Sequence, residues 1–334
     1  MEWHNTISHN EIKLAEPPIT TYPSIANVLS LMWNHKEKNM AWFVDHFIQI
    51  VVRPNHPDTF GDFYDHADID NYVRLLYGAA GLDWMRVNSN CAFFDTFTDY
   101  VEYEINQGFG VEACLDRFYI KSSEAYQTDR YIHSSFIYGY DKEKKEMYVA
   151  DFWVNGKYSK IAISYDEMNA CMDNDYIINL FKEVGQNYRV NKELMKRSFL
   201  DYLNSRDSFD RFKFSAKEYN KGLLFGLEYY DYLCSDLDKG EIPDIRMYHI
   251  LHDHKKLMKC RIEYLIGQGE WNSGKLAELD SRNDSLILET EVLRNSAIKY
   301  NMSPTEKARG NIKNRIVNLK NLDAKFMSDF LDIL

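Results

Sequence analysis

The sequence predicts an α+β fold, with a helix and an antiparallel sheet over residues 1–188 and a helical region over residues 189–334. Three observations carry this reading. The run HSSFIYGYDKEKKEMYVADFW, from His133 to Trp153, sets two β-rich stretches around the polar turn DKEKKE, which is the pattern of a hairpin. After Pro23, the segment SIANVLSLM places Ile25, Val28, Leu29 and Met32 on one face of a helix. From about Asn191 onward the β-rich runs vanish, and long segments with a period of about 3.6 residues are separated by DLDKGEIPD, GQGEWNSGK and NMSPTE. With 334 residues and 45% apolar content, the chain can bury one large domain or two ordinary ones.

The prolines of EPPITTYP enforce an extended approach, so Ser24 falls at the N-cap or in the first turn of the helix that follows. AWFVDHFIQIVV, residues 41–52, is compatible with either a strand or a buried helix, and RPNHPDTFGD is a loop. Asp68–Gly78 and Phe93–Ile105 have helical spacing, and GFGVEACLDRFYI reads as a strand bounded by Gly108 and Gly110. After the hairpin, Ser164 and Glu167 form a capping box at the start of SYDEM, and YIINLFKEV is one more strand. In the helical region Leu279, Leu286, Leu293 and Tyr300 recur every seven residues, while Ile312, Ile316, Leu319, Phe326 and Phe330 mark a last amphipathic helix. Such helices pack into a bundle or onto the first domain.

A net charge of -11 argues against nucleic-acid binding, which needs clustered Lys and Arg. The chain lacks the roughly 20 consecutive apolar residues of a membrane span, and its start lacks the basic-then-apolar order of a secretory signal, so it reads as cytoplasmic with no membrane partner. The five cysteines have no CxxC pairing, which excludes a zinc ribbon or a disulfide framework; Cys91 and Cys114 read as buried thiols. His249 and His252 share a helix face next to His254, but two ligands do not make a metal site, and no metal is expected. DFYDHADID reads as a solvated acidic loop. The basic runs at 189–197, 254–261 and 306–315 read as solvated faces, or as a dock for an acidic carrier protein.

With the hairpin turn centred on Glu143, His133 lies opposite Trp153 and diagonal to Asp151 on the same face, so the two meet at one end of the sheet. A carboxylate beside an imidazole fixes its tautomer and suits it to act as a base. A nucleophile at a helix N-terminus would complete the set, and Ser24 stands there.

YPSIANVLSLM, GFGVEACLDRFYI and HSSFIYGYD followed by VADFW resemble, in that order, the nucleophile helix, the strand before the histidine and the histidine–aspartate hairpin of papain-fold peptidases. Together they look most like the papain-fold cysteine-protease homologues that act as acyltransferases and amide synthases in thiotemplated (nonribosomal) biosynthesis, of the butirosin and closthioamide kind. The match covers residues 22–33 and 108–154, with looser texture to about 185. It implies a papain-like fold with an added helical region, and Ser24, His133 and Asp151 as the catalytic set. The implied reaction passes an acyl group from a thioester on the phosphopantetheine arm of an acyl or peptidyl carrier protein, through an acyl-enzyme, to a small amine acceptor. No bound cofactor is implied. The family nucleophile is cysteine, so Ser24 is an engineered replacement, a natural serine nucleophile or the mark of an inactive binding homologue. Pro18 stands where papain-like proteases have an oxyanion-hole glutamine, leaving the backbone N–H of Ser24 with Thr20 or Thr21 as donors. Tyr138, Phe152 and Trp153 are expected as walls of the acceptor pocket. A leader-processing cysteine peptidase is the alternative activity.

Overall fold

The computed structural model describes residues 6–54, 61–63, 81–88, 94–154, 156–172, 177–185, 188–208, 222–240 and 242–334. Cys91, the Asp68–Gly78 segment and most of DFYDHADID lie outside them. In chain order the described elements are β1 (His9–Glu11), α1 (Pro23–Met32), α2 (Lys36–Phe43), β2 (Ile50–Val52), β3 (Gly61–Phe63), β4 (Leu82–Asn88), α3 (Phe97–Asn106), β5 (Gly110–Asp116), β6 (Ile132–Asp141), β7 (Glu146–Val154), β8 (Lys157–Ser164), α4 (Tyr165–Cys171), β9 (Ile177–Glu183), α5 (Lys192–Leu203), β10 (Leu224–Phe225), α6 (Glu228–Asp238), α7 (Ile245–Gln268), α8 (Ser273–Met302) and α9 (Glu306–Leu331). The fold is mixed α+β with antiparallel sheets and a C-terminal helical region. Among the described residues no helix is long and apolar enough to cross a membrane.

The chain divides into two compact units. Residues 1–39 and 74–188 form a sheet unit, and residues 40–73 and 189–334 form a helical unit. The expectation of one domain over 1–188 is corrected in this respect: residues 40–73 leave that block. The reason is hydrogen bonding across long sequence distance. β2 pairs with β10, and Arg261 of α7 donates to the carbonyls of Val44 and His46 at 2.6 Å each.

In the sheet unit the strand order is β4-β9-β5-β6-β7-β8, with β1 added beside the end of β6. Strand alternation gives the sheet two faces. One carries Val111, Ala113, Leu115, Ile137, Val149, Ile163, Ile178 and Leu180, which pack against Tyr100, Val101 and Ile105 of α3 and Met168 and Cys171 of α4. The other face takes α1: Asn27 Nδ2 donates to Glu112 (3.1 Å), and Tyr158 Oη donates to Asn27 (2.8 Å). Thr96 caps α3, and the expected capping box of Ser164 and Glu167 starts α4.

The β6–β7 hairpin closes with Asp141 opposite Glu146. A β-bulge then interrupts the ladder, because Ile137 pairs with Val149 and Gly139 with Tyr148, leaving Tyr138 as the extra residue. Below the bulge Phe136 faces Ala150, and extending that register brings Ser135 level with Asp151, to which its hydroxyl donates. The parity matters, since a one-residue slip moves every side chain to the other face.

In the helical unit α7, α8 and α9 pack in sequence, with α9 also against α5 and α6. Leu279, Leu286, Leu293 and Tyr300 of α8 are all buried, as their spacing predicts. His254 Nε2 bonds the Ile48 carbonyl (2.8 Å) and its ring stacks on Tyr202 at 5.2 Å. Gly226 has φ +51, and a Cβ there would run into the Tyr202 backbone. Gly226→Ala is therefore expected to cost roughly 2–4 kcal/mol, read as a lower urea midpoint for loss of helical signal. An unchanged midpoint would show that this turn can relax.

Candidate active site

β6 and β7 deliver His133 and Asp151 to the same sheet face, and the side chains meet: Nδ1 of His133 lies 3.0 Å from Oδ2 of Asp151. Asp151 is fully buried, whereas the imidazole is 23% exposed. Two further donors converge on the same carboxylate oxygen. Arg117, in the single helical turn after β5, donates from Nη2 at 2.6 Å, and Ser135 Oγ donates at 2.5 Å. The other carboxylate oxygen accepts the Phe152 backbone N–H (2.7 Å). Burial pushes the Asp151 carboxyl up, but the hydrogen bond and charge of His133, then Arg117 and Ser135, outweigh it and hold the group below its usual range. Asp151 is thus an anion at neutral pH.

Arg117 is itself fixed on three sides. Its Nη1 donates to the Phe152 carbonyl (2.8 Å), and its guanidinium lies 4.7 Å from the Trp153 ring centroid and 5.3 Å from that of Tyr131. Nη2 is also 3.1 Å from Nδ1 of His133. A neutral imidazole therefore has two choices. With the proton on Nδ1 it donates to Asp151 and turns a bare Nε2 outward; with the proton on Nε2 it accepts from Arg117. Only the first leaves a base facing outward.

Ser24 occupies the first turn of α1, where Tyr22 rather than Ser24 is the N-cap residue. Beyond the C-terminal end of α1, Asn39 donates to the Met32 carbonyl and to Glu183, the last residue of β9. That edge is the one where Phe181 faces Gly110, far from Asp116 and Ile132 at the start of β6. α1 lies on the Glu112 and Phe152 face of the sheet, whereas the register puts His133, Ser135 and Asp151 on the Leu115 face, so the structure does not bring Ser24 together with the pair. Among the described residues no hydrogen bond joins Ser24 to His133. Thr20 and Thr21 are half-buried in the segment leading into α1.

The expected pocket walls are placed differently. Tyr138 is the bulge residue, five positions along β6 from His133, roughly 16 Å at strand rise, and packs against Tyr148 and Lys160. It does not wall the pair. Phe152 points to the α1 face, edge-on to Tyr158 at 5.6 Å, and Trp153 is buried under Arg117 as a support. The sequence reading missed Arg117 and Ser135. Ser135 was findable, since it lies two residues after His133 on the same face; Arg117 was not, because its reach depends on the turn after β5.

Cys114 is a poor nucleophile: burial first, then the charges of Glu112 and Asp151, push its thiol up. His252 bonds Thr290 and His249 lies by Asp253, and among the described residues no group of three His, Cys, Asp or Glu can hold a metal ion. No protein-family model matches the chain, and no curated protein matches it.

Proposed function

We propose that the sheet unit is a papain-like acyltransferase that forms amide bonds, with His133 as the base and Asp151 as its orienting carboxylate. The observation that carries this reading is the His133–Asp151 hydrogen bond on a buried, Arg117-neutralised carboxylate, with the imidazole still reachable from solvent. Asp151 favours the Nδ1–H tautomer, so Nε2 takes a proton from an attacking hydroxyl. In this reading the first turn of α1 reaches round the end of the sheet to His133, and Ser24 Oγ attacks the carbonyl carbon of a carrier-bound thioester while its proton passes to His133. The carbon–sulfur bond breaks, and the thiolate leaves with that proton. An amine then attacks the Ser24 ester; His133 accepts the amine's proton and returns it to Ser24 Oγ as the amide departs. A serine helped by a base needs no resting thiolate, which fits the residue at position 24.

The test is incubation of the chain with an acyl-loaded carrier protein and a panel of small amines, with products read by mass spectrometry. Amide formation is expected, reduced about 10³-fold or more in His133→Ala. Thioester hydrolysis without amide would sink the synthase, and full activity of Ser24→Ala would remove Ser24 as nucleophile. Cleavage of a leader peptide instead would favour the peptidase.

A further inference from the structure

A second concavity lies in the sheet unit, immediately after Arg117 in the chain, and has no part in the mechanism above. It encloses about 290 Å³ between the turn at Phe118 and Tyr119, the loop at Tyr126 and Gln127, and the first turn of α4 at Asp166 and Glu167. Of the seven lining residues, which include Ala170 of α4, three are aromatic, two are carboxylates and none is basic. Phe118 and Tyr119 meet edge to face at 5.1 Å, and Tyr119 already accepts the guanidinium of Arg130 at 5.6 Å.

The two carboxylates are in different states. Glu167 is engaged by the Ser164 hydroxyl and backbone N–H and by the Lys121 N–H (2.8 Å). Those bonds, set against burial, hold it below its usual range, so it keeps its charge. Asp166 is exposed and, among the described residues, makes no ion pair. The nearby cations are committed or outside the lining: Arg130 is paired with Asp116, and Lys121 meets Glu167 through its backbone. An anion is disfavoured by the two carboxylates, and the Ser164 hydroxyl and the Gln127 amide already donate to Glu167 and to Tyr126.

We propose that this pocket binds a small organic ammonium ion, held against the rings of Phe118, Tyr119 and Tyr126 with Asp166 as its counter-ion. The positive group sits on the electron-rich ring faces, and its alkyl part covers apolar edges that would otherwise stay wet. This assignment is independent of the acyl-transfer reading, since it requires no reaction.

The experiment titrates the full-length chain with choline and, separately, with 3,3-dimethylbutan-1-ol, a neutral analogue of the same shape, following amide shifts of the lining residues by NMR. Choline is expected to bind in the millimolar range or better, and the alcohol about 5- to 30-fold more weakly. Asp166→Asn and Tyr126→Ala are each expected to weaken choline at least about 5-fold. Asp166 is exposed in the first turn of α4, so Asp166→Asn should lower the thermal midpoint by no more than a few degrees and the protein stays folded at the titration temperature. Equal binding of the two probes, unaltered choline affinity in Asp166→Asn, or no shift of the lining residues at tens of millimolar choline would each overturn the proposal.

Discussion

Asp151→Ala is expected to abolish turnover and to destabilise the sheet unit by roughly 3–5 kcal/mol. The substitution removes the acceptor of four donors at once: Arg117, Ser135, His133 and the Phe152 backbone N–H. Arg117 then remains as a mostly buried cation with the Phe152 carbonyl, His133 Nδ1 and two ring faces, but no negative charge, for compensation. Asp151→Asn keeps the shape and part of the hydrogen bonding but not the charge. Its stability loss should be smaller, while turnover still falls about 10⁴-fold because Arg117 then favours the wrong imidazole tautomer. Adding Arg117→Met to Asp151→Ala should restore part of the lost stability but no activity, separating the unpaired charge from the catalytic defect. The pH dependence has a fixed sign. The folded carboxyl lies below its ordinary value of 3.8, so its contribution is complete above that value and is lost as pH falls beneath it. Urea midpoints from pH 7 down to 3 check this, and a midpoint for Asp151→Ala within error of the parent at pH 7 would remove the carboxylate as a structural centre.

Asp323→Ala is the matching experiment in the helical unit, with an expected loss of roughly 3–5 kcal/mol. Oδ2 of Asp323 accepts from Tyr202 (2.6 Å) and Tyr230 (2.7 Å), and Oδ1 is bonded to Lys255. Asp323, Lys255 and Tyr202 are completely buried, so no water can replace the lost acceptor. The double variant Lys255→Met with Asp323→Leu removes both charges and should recover much of that loss, leaving the two tyrosine hydroxyls to account for the rest. His254 adds a second pH term. Burial, then the Lys255 charge, pushes its imidazole well below 6.5, so stability from the neutral ring is full above that pH and declines below it. The midpoint for loss of helical signal should therefore fall between pH 7 and 5 in the parent and fall less in His254→Phe. Equal slopes in both proteins would mean that His254 does not bear the acid sensitivity.

Local signals were legible in the sequence where chemistry and spacing agreed. Ser164 and Glu167 announce α4 because a capping box is complete within four residues, and the leucines of α8 announce a buried stripe because one helix face repeats. The hairpin was legible in outline, and the pairing of His133 with Asp151 followed from it. β4 and β8 were not read, since their short, mixed sequences make sense only beside β9 and β7. Residues 40–73 were assigned to the wrong neighbour in sequence because the partners of Val44, His46 and Ile48 come from α7, some two hundred positions later. The same limit hid Arg117: its charge is ordinary in the sequence, and only the turn after β5 aims it at Asp151.

The extra residue at Tyr138 divides the hairpin into two segments that inherit change separately. The turn at residues 142–145 can alter its composition without disturbing the half that holds His133, because the register there is reset below it. Deleting Tyr138 itself would also spare that half, because Gly139 would still face Tyr148 and Ile137 would still face Val149, and the ladder would run unbroken from Asp141. Deleting one residue between His133 and Ile137 would have the opposite result: the imidazole would move one position along β7 and come to lie on the other side of the sheet from Asp151. A single-codon deletion there would disassemble the pair without replacing either member. In lineage terms, the hairpin tip is free to drift, while the length of β6 between bulge and histidine is not.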